Sequence, residues 1–183
     1  MPPRIVGLAG SLNRPSKTRA LVDLLTAKAA ASLHAASASY DLTDLQPSLG
    51  AAATLEDLDH LTRAIIDDIL SADALVVGSP VYKGSYSGLF KHLFDLIDPA
   101  ALAGKPVLLA ATGGGDKHAL VIEHHLRPLF GFFESATLPT GVYASAADFT
   151  ANLPTSPPLL ARIDRAVSQF SPLLHGRLIA TAA

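Results

Sequence analysis

The 183-residue chain predicts a three-layer α/β/α fold built on a five-stranded parallel sheet. Three observations carry that prediction. Short apolar runs alternate with longer segments of helical spacing, and each strong short run is apolar on both faces. The loops after the first, third and fourth runs are rich in Gly, Ser or Pro, whereas loops at the opposite ends are less distinctive. Strands that are apolar on both faces need cover on both sides, and helical crossovers between parallel strands supply it.

The elements follow in order. "RIVGLA" (4–9) is the first strand and runs into "GSLNRPSKT" (10–18), which feeds the start of a helix. A weaker run, "SASYDL" (37–42), supplies the second strand. Across 55–70, Leu55, Leu58, Leu61, Ile65, Ile66 and Ile69 recur as one helical stripe, with Thr54 and Asp57 as a capping pair. "ALVVGS" (74–79) is the third strand. In 88–97, Leu89, Phe90, Leu93, Phe94 and Ile97 form a second stripe, with Lys91, His92 and Asp95 turned away. "PVLLAAT" (106–112) and "ATLPTGVYA" (136–144) complete the sheet. "TANLPTSPP" (150–158) reads as a connection to a last helix near 159–174. Five strands and five helices in this order imply one flavodoxin-like domain spanning 1–183, with strand order 2-1-3-4-5. The strand order comes from the fold type, since periodicity does not reveal it.

Composition narrows the chemistry. Hydrophobic residues make up 49% of the chain, enough for a packed core with apolar surface left over for a subunit interface. Net charge is −2 with no basic run, which argues against a nucleic-acid partner. The chain has no cysteine, so disulfides, thiolate catalysis and Cys-based zinc sites are excluded. The apolar run at 5–9 is too short for a signal-peptide core, and no stretch approaches a membrane span; the expected compartment is the cytoplasm.

In an open parallel sheet, ligands sit at the carboxyl ends of the strands where the chain order reverses. Three loops lie there: 10–18, "SPVYKGSYSG" (79–88) and "TGGGDKH" (112–118). The first has the spacing of a triphosphate loop, G-x-x-x-x-G-K-[ST], but carries Ser11 and Ser16 at the two glycine positions. The strand that should end in a magnesium-holding acid ends "VVGSP". Without either glycine or the acid, the loop is poorly suited to ATP. Its hydroxyls and the following helix start suit a single terminal phosphate, although a Ser-capped helix with no ligand has the same pattern. Pro80-Val81-Tyr82 is stiff and presents an aromatic at the same edge, and Thr112-Gly113-Gly114-Gly115 permits close backbone approach. A phosphate loop, a stiff aromatic loop and a glycine loop together fit a nucleotide with a planar, polar-edged ring, a description that FMN satisfies.

Four stretches, "GSLNRPSKT", "SPVYKGSYSGLFKHLFDL", "LAGKPVLLAATGGG" and "HALVIEHHLRPLF", closely resemble the NAD(P)H-dependent FMN reductases. They are most similar to the branch that supplies reduced FMN to alkanesulfonate- and methanesulfonate-type monooxygenases. The resemblance implies that Ser11, Arg14, Ser16 and Thr18 hold the FMN phosphate. It implies that Pro80, Val81, Tyr82 and Lys83 line the ring, mostly through backbone groups, and that Thr112, Gly113 and Gly114 close its other edge. One departure is Asn13, which stands where many relatives carry Arg; Arg14 beside it is the alternative phosphate contact. The resemblance also puts His124 in a π-helical insertion at a tetramer interface. Pro128, which cannot donate to the carbonyl of His124, independently predicts a break in that helix.

The function that follows is an NAD(P)H:FMN oxidoreductase using NADH or NADPH as hydride donor. No side-chain acid or base is required and no metal is expected, because the spacing of His118, Glu123, His124 and His125 is neither H-E-x-x-H nor a di-iron E-x-x-H pair. Its expected partners are a second copy of the chain, in a dimer or tetramer, and an FMN-dependent monooxygenase that accepts the reduced flavin. Two rivals use the same fold: a quinone or azo-dye reductase with firmly held FMN, and a flavodoxin-like electron carrier. The latter class is usually strongly acidic, unlike this chain.

Overall fold

The computed structural model describes residues 2–174. The ends of the expected 1–183 domain, residue 1 and 175–183, lie outside the described residues. Strand β1 (Arg4–Ala9) leads into helix α1 (Lys17–Leu33), which is followed by β2 (Ala36–Asp41) and a single-turn helix α2 (Ser48–Ala51). Next come α3 (His60–Ser71), β3 (Ala74–Pro80), α4 (Gly88–Asp95) and β4 (Pro106–Gly113). A π-helical turn (Ile122–Leu126) runs into α5 (Arg127–Phe132), followed by β5 (Ala136–Thr137) and β6 (Val142–Ser145). A short antiparallel hairpin, β7 (Phe149–Thr150) and β8 (Leu153–Pro154), precedes α6 (Pro157–Ser168).

The main sheet is parallel in the order β2-β1-β3-β4-β5, as expected for a flavodoxin-like topology. Its last position differs from the expected single strand 136–144. Residues 136–137 pair with the start of β4 and residues 142–145 with its end, leaving a gap between. Pro139 has no N–H to give the ladder, and the amide of Thr140 is taken by the Gln169 side chain at 3.0 Å. The Arg127 guanidinium spans the gap, donating to Thr137 Oγ1 and the Leu138 carbonyl at 3.0 Å each.

Alternation along the strands divides the core in two. Val6, Leu8, Leu75 and Val77 face α3, α4 and α5 through Ile66, Ile69, Phe90, Phe94 and Phe130. Ile5, Ala9, Ala74 and Val76 face α1 and α6 through Leu21, Leu25, Leu159 and Ile163. Helix α1 lies close against the sheet because Gly78 stands beneath it. A Cβ there would come within 2.6 Å of Val22 Cγ2.

Three local expectations change. Thr54 and Asp57 do form a capping box, but it closes a 3-10 turn at Leu55–Asp57. The helix proper starts five residues later than expected, with Asp59 as its cap accepting from the Thr62 amide at 2.7 Å. Leu61, read as part of the buried stripe, is 75% exposed, because the buried face of the helix runs through Thr62, Ile66 and Ile69. His92 is only partly turned away, its Nε2 lying 3.1 Å from the Leu49 carbonyl. The connection at 150–158 contains the β7–β8 hairpin, whose turn residues Ala151 and Asn152 have positive φ.

Candidate active site

The three loops at the carboxyl ends of β1, β3 and β4 are bonded into one rim, with Thr112 at its centre. Its hydroxyl lies 2.6 Å from Thr18 Oγ1 in a buried pair that joins the first loop to the third. Its carbonyl accepts the Val81 amide at 2.8 Å, joining the second loop to the third. Ser87 completes the ring by donating to the Gly10 carbonyl at 3.1 Å while capping α4.

In the first loop, Ser16 caps α1 by accepting the Arg19 amide at 3.2 Å. The remaining first-turn N–H groups of α1 have no intrahelical partner, as at any helix start. Ser11 is 3% exposed, and its Oγ is buried with no hydrogen-bond partner. Buried hydroxyls are seldom left so, and this one belongs to a loop that expects an anion. Arg14 is turned elsewhere. Its guanidinium grips Asp41 in a two-pronged contact at 2.9 Å and reaches Asp44 at 2.6 Å. Lys17 Nζ lies 3.5 Å from the Ala146 carbonyl and over the Phe149 ring.

In the second loop, Pro80 is buried at the end of β3 and Tyr82 is 44% exposed. Tyr82 and Ser85 exchange backbone hydrogen bonds at 2.8 and 3.1 Å around Lys83 and Gly84, both at positive φ. The Val81 and Tyr82 amides are therefore already used within the chain. The expected backbone lining of a ring by Pro80–Lys83 reduces on the donor side to Lys83 and its neighbour Gly84. In the third loop, a Cβ on Gly113 would collide with Tyr143, whereas one on Gly114 meets nothing within 4 Å. The space beside Gly114 is open.

The sequence reading missed three residues of this rim. Tyr143 braces the glycine loop from β6, Ser87 ties two loops together, and Asp41 anchors Arg14. Asp41 had no signal beyond being an acid near the end of the weak second strand, with Asp44 three residues on. Tyr143 had no signal beyond being an aromatic near a strand end.

Behind the rim, the π-turn at Ile122–Leu126 occurs where Pro128 predicts a broken ladder. His125 Nδ1 lies 3.1 Å from Ser85 Oγ, and its ring meets Tyr86 edge-on. Between α4 and the π-turn lies a groove of about 620 Å³, lined by Tyr86, Phe94, His124, Leu129, Phe132 and Phe133 among others. Among the described residues no group of three or more His, Asp or Glu could hold a metal ion, and no helix is long and apolar enough to cross a membrane.

A doubly wound sheet with a hydroxyl-rich helix start, a stiff aromatic turn and an open glycine turn on one rim has the make-up of a site for a mononucleotide with a planar ring. The unpartnered Ser11 hydroxyl and the open space at Gly114 fit FMN. The NADPH-dependent FMN reductase family model matches residues 3–150, and the chain belongs to that family. It is 51% identical to "FMN reductase (NADPH)" of Pseudomonas aeruginosa, over 96% of this chain and 95% of that protein. It is 49% identical to "NADH-dependent FMN reductase SfnF" of Pseudomonas fluorescens, over 97% and 95% respectively. Among solved structures, an oxidoreductase from Corynebacterium diphtheriae superposes with a TM-score of 0.82 at 34% identity, covering 96% of this chain and 99% of that one. The chain is accordingly an NAD(P)H:FMN oxidoreductase that uses FMN and a reduced nicotinamide nucleotide.

Proposed function

We propose that the enzyme treats FMN as a substrate, reducing it with NAD(P)H and releasing it to a two-component monooxygenase of the sulfonate type. The observation that carries this reading is the phosphate end of the rim. Its available groups are the Ser11 hydroxyl and the start of α1, while Arg14 is committed to Asp41 and Asp44 and Lys17 is turned toward the Ala146 carbonyl and the Phe149 ring. A guanidinium would add an opposite charge and a two-pronged grip that a hydroxyl and backbone amides lack, so a site without one suits a flavin that must leave.

Bound FMN supplies the redox chemistry by accepting hydride from the nicotinamide. The chain binds and orients. Ser11 and Ser16, with the first amides of α1 including that of Thr18, would hold the phosphate end; Pro80, Val81, Tyr82 and Lys83 would flank one side of the ring, and Thr112, Gly113 and Gly114 the other. The hydrogen bonds through Thr112 fix the spacing of these three segments before either nucleotide arrives, which lowers the cost of aligning them. No acid or base is assigned, since hydride transfer between stacked rings requires none.

The same reading includes a homo-oligomer, dimer or tetramer, in which the face carrying His124 and the neighbouring apolar groove is covered, and a cytoplasmic setting. Phe132 at 70% exposure and Leu120 at 63% give that face its apolar character. The deciding experiment measures NAD(P)H oxidation with and without added FMN. Turnover that rises with added FMN, together with loss of flavin on gel filtration, supports the proposal. A yellow protein indifferent to added FMN but active on quinones would overturn it.

A further inference from the structure

The ionic cluster behind the phosphate loop has no role in the reaction as described. Arg14 and Arg19 converge there on Asp41 and Asp44. Arg19 Nη1 lies 3.3 Å from Asp41 and 3.4 Å from Asp44, and its Nε contacts Asp23 at 2.8 Å. Two guanidinium groups thus face three carboxylates. The Asp41 side chain is fully buried, whereas that of Arg14 is half exposed. Asp41 is held further by the amide and hydroxyl of Thr43, and Asp44 accepts the Asp41 amide at 2.9 Å. The carboxylates are therefore fixed parts of the β2 end, and the arginine on the loop is what they hold.

We propose that Asp41 and Asp44 determine flavin selectivity by withholding Arg14 from the phosphate. Arg14 is the residue of the loop whose forked donors match a phosphate best. To reach one, it would have to give up three contacts and leave a buried carboxylate without its principal partner, a strongly unfavourable exchange. The phosphate then gains no guanidinium contact, and the preference for FMN over the phosphate-free riboflavin stays below what a freed Arg14 would give. This inference rests on assigning the loop at 10–18 to the flavin phosphate. It identifies Asp41 and Asp44 as specificity-determining residues that act through Arg14.

The test compares dissociation constants for FMN and riboflavin, read from quenching of flavin fluorescence, in the unsubstituted protein, Arg14→Gln, the Asp41→Asn/Asp44→Asn double variant, and the double variant with Arg14→Gln added. Arg14→Gln should leave the FMN-to-riboflavin affinity ratio within about two-fold of the unsubstituted protein, because no guanidinium contact to phosphate is lost. The double variant frees Arg14 and should raise preference for FMN roughly ten-fold, a gain that the added Arg14→Gln removes. A roughly ten-fold fall in the ratio on Arg14→Gln alone would overturn the inference, because it would mean the guanidinium already contacts phosphate. A folded double variant with an unchanged ratio would overturn it equally. If the double variant does not fold, the Arg14→Gln ratio decides alone. NAD(P)H oxidation is assayed separately: flavin binding without turnover refutes the proposed function while the selectivity result stands, and failure to bind either flavin refutes both.

Discussion

The phenol of Tyr143 donates to the Gly115 carbonyl at 2.5 Å, and its ring occupies the space where any side chain on Gly113 would stand. One residue of β6 thus sets both the path and the composition of the glycine turn. Burial, with Asp116 and Asp148 nearby, pushes the phenol's pKa upward, so it remains a donor at neutral pH. Tyr143→Phe keeps the ring and deletes the bond. It is expected to raise KM for FMN several-fold, corresponding to about 1 kcal/mol, with kcat at saturating FMN nearly unchanged. Steady-state kinetics at varied FMN tests this, and an equal fall in kcat would contradict a purely positioning role.

The buried Thr18–Thr112 pair links the first and third loops. Thr18→Val preserves shape but strands the Thr112 hydroxyl, which should cost about 1–3 kcal/mol of stability. Thermal unfolding should show a drop of several degrees. The double variant Thr18→Val/Thr112→Val, with no stranded hydroxyl, should recover part of the loss.

Asp41 and Asp68 are among the acids that link stability to pH. Burial pushes Asp41 upward, but hydrogen bonds from Arg14 and Thr43 outweigh it, leaving its pKa below the usual value. Asp68 is lowered chiefly by the Arg4 hydrogen bond, against burial, with help from Tyr40. For both, the unfolded state binds protons first as pH falls. The stabilisation is complete above the unfolded pKa of about 3.9 and is lost as pH drops through the folded values. Urea midpoints should be flat from about pH 7 to 5 and decline below about pH 4. Asp68→Asn should lower the plateau and make the decline shallower.

Phe132 stands 70% exposed beside the groove between α4 and the π-turn. If that face is covered by a second copy, Phe132→Glu places a charge in an apolar contact and should shift sedimentation toward a smaller species. An unchanged sedimentation coefficient would remove this face from the assembly.

Much of the frame was legible because its signal is local. Runs apolar on both faces gave β1, β3 and β4 within a residue or so of their ends, and the glycine- and serine-rich turns are the ones that the structure bonds into one rim. What was not legible depends on partners distant in sequence. Nothing local says that Arg14 is spoken for by Asp41, 27 residues away, or that Val81 has given its amide to Thr112. The fifth strand read as continuous because its composition is β-like on both sides of Pro139. The division became visible only once Gln169 and Arg127 were seen to take up the freed backbone groups.

That division also bears on solubility. The outermost position beyond β4 offers two paired residues, a proline-bearing gap bridged by a guanidinium, and then four more. A stray strand seeking to add itself there would find no unbroken row of amides and carbonyls to copy. The interruption that makes the strand hard to read thus also guards this border against uncontrolled sheet growth.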